Sequence, residues 1–343
     1  MKILVVGSGG REHAIIRALK KSPKTETIYA LPGNGGIAAD AICVEGSVTD
    51  IDRVVSFSKD NGIDFVVVAP DNPLVLGMVD ALNEAGIATF GPRANAAILE
   101  GSKVFSKNLM KKYGIPTARY ETFNDAHAAV VYIEKMNEYP VVIKADGLAL
   151  GKGVIIAQNF AEAQNAVKSI MEDKAFGASG NHIVVEQFLE GVEVSVLAFT
   201  DSKTVKPMIS SMDHKRANDN DEGLNTGGMG TFSPSPFYTP QVDAFCREHI
   251  YQKTVDAMKA EGREFKGIIF FGLMLTADGP KVLEYNARFG DPETQVVLPR
   301  MKNDLVDLFE ACIDGTLDQI DLEFEDNAAV CVVLASAGYP EHY

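Results

Sequence analysis

The segment PKVLEYNARFGDPETQ, residues 280–295, carries residue types from which phosphate chemistry is built. Its apolar alternation marks a strand that delivers Glu284 and Asn286 two positions apart, hence on one face. Two hard oxygen ligands on one face suit Mg²⁺, which takes few protein ligands and completes its shell with phosphate oxygens and water. Arg288 follows by two more on the same side. A guanidinium there would stabilise charge on a transferred phosphoryl group. The plain alternative is a solvated strand edge with a turn at GDP, which does not account for so many polar residues ending a buried strand.

A second candidate is IKADGLALGKGVII, residues 143–156. It is not a P-loop, which needs four residues between its glycines and a Ser or Thr after its lysine. Here Gly147 and Gly151 enclose three residues, and Gly153 follows Lys152. The flanks YPVVIKA and GVIIA are β-branched runs, so two strands joined by a glycine-rich flap are expected. Backbone amides in such a flap can close over an anion. A surface hairpin around one lysine, Lys144, fits this stretch alone equally well.

Three further stretches are weighed the same way. VVGSGGREHA suggests a dinucleotide fold, but Glu12 stands where a third small residue is wanted. The second strand also ends Ala30-Leu31-Pro32 rather than on an acid. An NAD dehydrogenase is therefore disfavoured; a helix N-terminus able to hold an anion remains, against a tight packing turn. EQFLEG, with Glu186, Glu190 and then Glu193, reads as an extended junction whose backbone could face an adenine edge and whose carboxylate could take a ribose hydroxyl. Residues 210–236 read as nearly all loop, and a loop this long is functional or disordered. Asp213, His214, Lys215 and Arg216 are followed by NTGGMG. That content favours a substrate loop, and no nucleophile elbow supports a hydrolytic triad.

The elements that must position these residues follow from periodicity. Residues 1–92 alternate strand and helix: KILVV, ETIYAL, DFVVVA and IATFGP are strands of a small doubly wound α/β unit. One long helix is expected over 94–113, and another over 74–85. Residues 115–190 alternate helical patterns (125–136, 160–172) with strands near 141–145, 153–157 and 183–187. Residues 191–325 hold strands near 193–199, 205–209, 268–275 and 281–285, and helices at 240–261 and 303–313. Length 343 suggests two or three domains, and net charge -15 argues against general nucleic-acid binding. No apolar run reaches the ~18 residues of a membrane span. Four scattered cysteines read as free thiols of a reducing compartment, and a cytoplasmic location is expected.

Together these segments resemble the ATP-grasp superfamily. Within it they resemble the phosphoribosylamine–glycine ligase (glycinamide ribonucleotide synthetase) family, on VVGSGGREHA, LPGNGG, LEGSK, KADGLALGKGV, DHKR, NTGGMG and ARFGDPETQ. The resemblance covers essentially the whole chain and implies an α/β and α+β multidomain protein. An N-terminal doubly wound domain would span 1–103. A two-lobed ATP-grasp domain would span 104–325, with a small flap lobe at about 115–190 and a larger lobe at about 191–325. Residues 326–343 would begin a C-terminal domain that looks truncated.

The resemblance also implies an ATP-dependent, ADP-forming carboxylate–amine ligase of purine biosynthesis, acting on glycine and 5-phosphoribosylamine. Lys103 and Lys144 would contact ATP phosphates under a flap of Gly147, Gly151, Lys152 and Gly153. Glu186 with Phe188 and Leu189 would read adenine, and Glu193 the ribose. Glu284 and Asn286 would hold Mg²⁺ or Mn²⁺, and Arg288 would meet the transferred phosphoryl group. Gly9, Gly10, Arg11 and Glu12 are candidates for the ribose 5-phosphate. Asp213, Lys215, Asn225, Thr226, Gly227, Gly228 and Met229, with Gly290, Asp291, Pro292 and Glu293, would line the glycine and amine sites. A monomer without nucleic-acid or membrane partners is expected. Gln187, Val192 and APDNPLV depart from the family pattern. A different amine, or nucleotide binding without turnover, stays open.

Overall fold

In the computed structural model, which describes residues 1–148 and 153–341, strand β1 (Lys2–Gly7) is buried almost throughout. Leu4 and Val6 enter one hydrophobic core and Ile3 and Val5 another. A strand covered on both faces has no place for polar alternation. With β2 (Thr27–Pro32), β3 (Ile42–Cys43), β4 (Phe65–Val68) and β5 (Ala88–Phe90) it forms a parallel sheet in the order β3-β2-β1-β4-β5. Helix α1 (Gly10–Leu19) packs on one face; α2 (Ile51–Asp60) and, after the short α3 (Asp71–Val75), α4 (Met78–Glu84) pack on the other. This is the doubly wound unit expected from the sequence. The pattern missed β3, two exposed residues with no apolar run to mark them.

Two expected helices are each broken in two. Gly77, at φ 90°, separates α3 from α4. Between α5 (Ala94–Gly101) and α6 (Lys103–Tyr113), Ser102 turns extended, and its hydroxyl caps α6 by accepting from the Phe105 amide at 3.0 Å. The periodicity continues across Ser102 because both helices bury a face in the same neighbourhood.

The next lobe is an antiparallel sheet, ordered β6-β9-β7-β8, of β6 (Tyr120–Phe123), β7 (Val141–Ala145), β8 (Val154–Ala157) and β9 (Ile183–Gln187). Helices α7 (Ala126–Met136) and α8 (Phe160–Val167) back it. Its core, including Ile133, Val141, Ile143, Ile170 and Val185, is separate from the rest.

The larger lobe begins with β10 (Val192–Asp201) and β11 (Val205–Pro207). The stretch expected to be nearly all loop instead holds β12 (Met212–Asp213), a hairpin of β13 (Arg216–Asn218) and β14 (Glu222–Asn225), and β15 (Gly230–Ser233). These strands are short and polar, so hydrophobic pattern could not show them. Helices α9 (Pro240–Cys246) and α10 (Gln252–Ala260) lead to β16 (Lys266–Thr276) and β17 (Gly279–Asn286), completing a sheet β11-β10-β16-β17. After α11 (Thr294–Val297) and α12 (Leu305–Asp314), β18 (Ala329–Val332) pairs antiparallel with β15.

The larger lobe shares both its cores with the N-terminal sheet. Phe309 of α12 stacks on Phe90 of β5 at 3.8 Å between centroids and also faces Phe289. Site residues from the N-terminal unit and the larger lobe therefore stand on one continuous body, and the small lobe, with its own core, brings Lys144 and Glu186 against it. Among the described residues no helix is long and apolar enough to cross a membrane.

Candidate active site

Strand β17 carries Glu284 and Asn286 to the junction with the small lobe. Their partners across β16 are Gly272 and Phe270. A side chain at 272 would put a Cβ 3.1 Å from Glu284 Cγ, so the glycine leaves room for the carboxylate to lie across the strand. From the small lobe, Lys144 Nζ donates to the Leu283 carbonyl at 3.3 Å. The ends of β7 and β17 thus meet.

Cations converge there. Lys103, the first residue of α6, donates to the Gly147 carbonyl at 2.7 Å. Asp146 holds that helix start in place, accepting from the Val104 amide at 3.1 Å and from the Ser102 hydroxyl at 3.0 Å. Lys215 pairs with Glu193 and stands 3.8 Å from Glu284. Arg288 pairs with Glu100 of α5 at 3.1 Å. Desolvation disfavours the charged form of Glu284, but Lys215, Lys144, Lys103 and Arg288 outweigh it and hold the carboxyl below its ordinary value. Desolvation has the upper hand at Lys103, whose pKa is lowered, and at Glu100, whose pKa is raised despite Arg288.

Buried acids gather on the other side of Lys215. Glu293 accepts from the Ser195 hydroxyl at 3.1 Å and is 3 % exposed. Burial first, then neighbouring Glu293, pushes the Asp213 carboxyl up to about 8. Gly228, at φ +125°, brings the 226–230 turn against both Asp213 and Pro292; a Cβ there would lie 2.7 Å from Asp213 Oδ1 and 2.5 Å from Pro292 Cδ. The turn is held by Thr226, which donates to the Lys215 carbonyl at 2.9 Å and accepts from the Gly228 amide at 3.0 Å. The Met229 amide donates to His214 at 2.7 Å. On the far side, Arg11 donates to the Phe289 carbonyl at 3.3 Å, and a Cβ at Gly9 would lie 3.3 Å from Asp291 Oδ2. The RFGDPE segment is thus the meeting point of the N-terminal glycine loop and the 226–230 turn.

Comparison with known proteins decides what this arrangement belongs to. Residues 1–100 match the family description "Phosphoribosylglycinamide synthetase, N domain", and residues 101–294 match "Phosphoribosylglycinamide synthetase, ATP-grasp (A) domain". The chain belongs to the phosphoribosylglycinamide synthetase family. It is 48 % identical over its whole length to the phosphoribosylamine–glycine ligase of Caldanaerobacter subterraneus subsp. tengcongensis, covering 82 % of that protein. It is 49 % identical to the trifunctional purine biosynthetic protein adenosine-3 of Gallus gallus, of which it covers 34 %. The phosphoribosylamine–glycine ligase structure from Thermotoga maritima superposes with a TM-score of 0.86 at 32 % identity, over 99 % of this chain and 82 % of that one. A biotin carboxylase domain from Hydrogenobacter thermophilus shares the fold at 20 % identity and a TM-score of 0.74, over 96 % and 73 %.

For a member of this synthetase family, the geometry brings together Lys103, Lys144, Glu186, Glu193, Lys215, Glu284 and Arg288. Three expectations need revision in detail. The Gly9 amide is already taken: Glu12 Oε2 accepts from it at 2.6 Å, and Oε1 accepts from Arg11 at 2.6 Å. The helix N-terminus carries its own carboxylate, which a phosphate would have to displace. Glu193 is paired with Lys215 and Glu186 with two lysines, so neither carboxylate stands free. Asn225 is exposed on the β13–β14 hairpin. Gly151 and Lys152 lie outside the described residues; Gly147 and Gly153 flank that stretch.

Sequence reasoning missed Lys107, Glu100, Asp146 and Ser195. Glu100 lies in the quoted LEGSK, and Lys107 is one helical turn after Lys103, so spacing could have flagged both. Asp146 likewise lies in the quoted KADGLALGKGV; Ser195 had no such signal. Among the described residues no group of three or more His, Cys, Asp or Glu stands where it could hold a metal ion. Glu284 and Asn286 fit only a divalent cation that takes its remaining ligands from phosphate and water. A separate cavity of about 510 Å³, lined in part by Phe90, Arg93, Lys266 and Cys312, contains none of these groups.

Proposed function

We propose that this chain joins glycine to 5-phosphoribosylamine at the expense of ATP, giving ADP, phosphate and glycinamide ribonucleotide. The observation that carries the proposal is the ring of Lys103, Lys144, Lys215 and Arg288 around the single Glu284 carboxylate, in a chain of this family. Three of these cations already lean on a carboxylate, Lys215 on Glu193, Arg288 on Glu100 and Lys144 on Glu186, and a triphosphate would compete for them.

Glycine's carboxylate is a poor acyl donor because oxide is a poor leaving group. Phosphorylation by ATP turns it into glycyl phosphate; the amine then attacks the carbonyl carbon and phosphate leaves. No covalent nucleophile is required. The residues must align the reactants, neutralise charge and keep water from the acyl phosphate. Lys103 and Lys144 hold phosphate oxygens. Arg288, whose Nε is buried and without a hydrogen-bond partner among the described residues, would turn toward the transferred group. Phe188 and Leu189 present backbone to the adenine, with Glu186 behind them, and Glu193 faces the ribose. Gly147 and Gly153 border the flap expected to close over the phosphates; Gly151 and Lys152 lie outside the described residues. Glu284 and Asn286 would hold Mg²⁺ or Mn²⁺, which supplies further charge neutralisation on the phosphates.

The acceptor side is read from the opposite wall. Asp213, Lys215, Thr226, Gly227, Gly228 and Met229 face Gly290, Asp291, Pro292 and Glu293 across the glycine and amine sites, and the exposed Asn225 leads into that turn. Gly9, Gly10 and Arg11 receive the 5-phosphate once Glu12 yields. The protein works as a cytoplasmic monomer.

Turnover with glycine, 5-phosphoribosylamine and ATP tests the reading. ADP should form only with all three present, should stop with a chelator, and should return with Mg²⁺ or Mn²⁺. ADP formation indifferent to glycine would overturn it.

A further inference from the structure

Lys107 lies one turn beyond Lys103 on α6, so both side chains leave the same face of the helix. It is 3 % exposed, and nothing assigned so far uses it. Its ammonium meets Glu186 Oε2, the Thr117 hydroxyl at 2.8 Å and the Tyr120 ring at 5.9 Å. Glu186 is equally buried, and its other oxygen, Oε1, meets Lys144. One buried carboxylate is therefore shared by two ammonium groups, one from α6 and one from β7.

The two lysines are not equivalent. Lys107 is anchored through Thr117, which donates to the Val282 carbonyl at 2.7 Å, while the Val282 amide donates to Pro116 at 2.8 Å. Lys144 instead reaches toward β17 beside Glu284, where among the described residues the Leu283 carbonyl, at 3.3 Å, is a further acceptor.

We propose that Lys107 is a positioning residue for nucleotide binding: it is the standing counter-ion of Glu186, and so leaves Lys144 free to exchange between Glu186 and a phosphate oxygen. This deepens the ligase reading and rests on it. A carboxylate this deeply buried must keep a cation. If Lys144 were its only partner, moving that lysine to ATP would strand Glu186 and offset the gain. With Lys107 fixed on Oε2, the departure of Lys144 leaves a neutral pair. The triad itself carries one net positive charge, which Glu284 beside Lys144 partly offsets and an arriving phosphate offsets further. Burial lowers the Lys107 ammonium to about 8, so the pair stays charged near neutral pH.

The test compares the wild-type chain with Lys107→Met, Lys107→Arg, Glu186→Gln and the Lys107→Met/Glu186→Gln double variant. The readouts are calorimetric binding of ATP with Mg²⁺, KM for ATP and for glycine, kcat, and the thermal midpoint. Lys107→Met should raise Kd and KM for ATP roughly tenfold to a hundredfold, as expected when one partner of a buried charge cluster is lost. KM for glycine should hold, and kcat at saturating ATP should change little. Lys107→Arg should stay within a few-fold of wild type. In the Glu186→Gln background the Lys107→Met penalty should vanish, because no carboxylate remains to retain Lys144. The inference is overturned if Lys107→Met binds ATP like wild type. It is overturned equally if the penalty persists in the Glu186→Gln background, or if Lys107→Arg loses ATP affinity as Lys107→Met does. A wild-type chain that binds no ATP would instead bring down the ligase reading, and this inference with it.

Discussion

The Arg288 guanidinium stands 3.1 Å from the Glu100 carboxylate, joining the end of β17 to α5 of the N-terminal unit. Both are largely buried, and the Ala287 amide donates to the second Glu100 oxygen at 2.7 Å. The group proposed to meet the transferred phosphoryl is therefore also part of the scaffold, and its two duties can be separated.

Arg288→Met should lose both. It strands a buried carboxylate, so chemical denaturation should show roughly 3 kcal/mol less stability. Adding Glu100→Gln removes the stranded charge and should recover most of that loss, while ADP formation stays at background. Recovery of activity along with stability would assign Arg288 to structure alone.

Glu284→Gln should separate differently. The residue is half-exposed and surrounded by cations, so its loss leaves no buried carboxylate behind. The thermal midpoint should move by no more than ~2 °C, within the range of ordinary surface substitutions. kcat/KM for ATP should fall roughly 100-fold, the scale of a lost electrostatic contact in a reacting centre. A midpoint that falls with activity would count against the metal role.

Asp213 makes the protein's stability depend on pH in an unusual direction for a carboxylate. The unfolded group titrates near 3.8, whereas the folded one is pushed up to about 8. Between those values the folded chain holds a proton that the unfolded chain has released. Stability is greatest at the acid end of that window and declines as pH rises through it. Asp213→Asn should flatten the fall in thermal midpoint between about pH 5 and pH 8. An unchanged slope would show that another group sets it.

Ser102→Ala tests the helix break. It removes the cap on α6 and the hydroxyl that donates to Asp146. Stability should drop by roughly 1–2 kcal/mol. KM for ATP should rise several-fold, because Lys103 is the first residue of the helix that the cap defines. A stability loss with unaltered KM would mean that Lys103 is positioned by the body of the helix.

Much of this site was legible in the residues. The β17 segment placed Glu284 and Asn286 on one face because a strand's two-residue period is rigid, whereas Arg288 lies beyond the strand's end at Asn286 and that period does not extend to it. The apolar runs of β1 and β4 announced a covered parallel sheet for the same local reason. The break at Ser102 was not visible, since hydrophobic periodicity runs on across a cap. Residues 210–236 misread as loop because short polar strands take their stability from partners elsewhere in the chain.

Local sequence, then, determined which side chains are candidates for phosphate and metal, and on which elements they ride, because backbone periods are set within a few residues. Tertiary structure alone decided the partners: Glu12 folded onto the Gly9 amide, Glu193 claimed by Lys215, and Glu186 shared by Lys107 and Lys144. Charges act through space, and residues 107, 144 and 186 become neighbours only when α6, β7 and β9 pack together. Their spacing along the chain carries no trace of that arrangement.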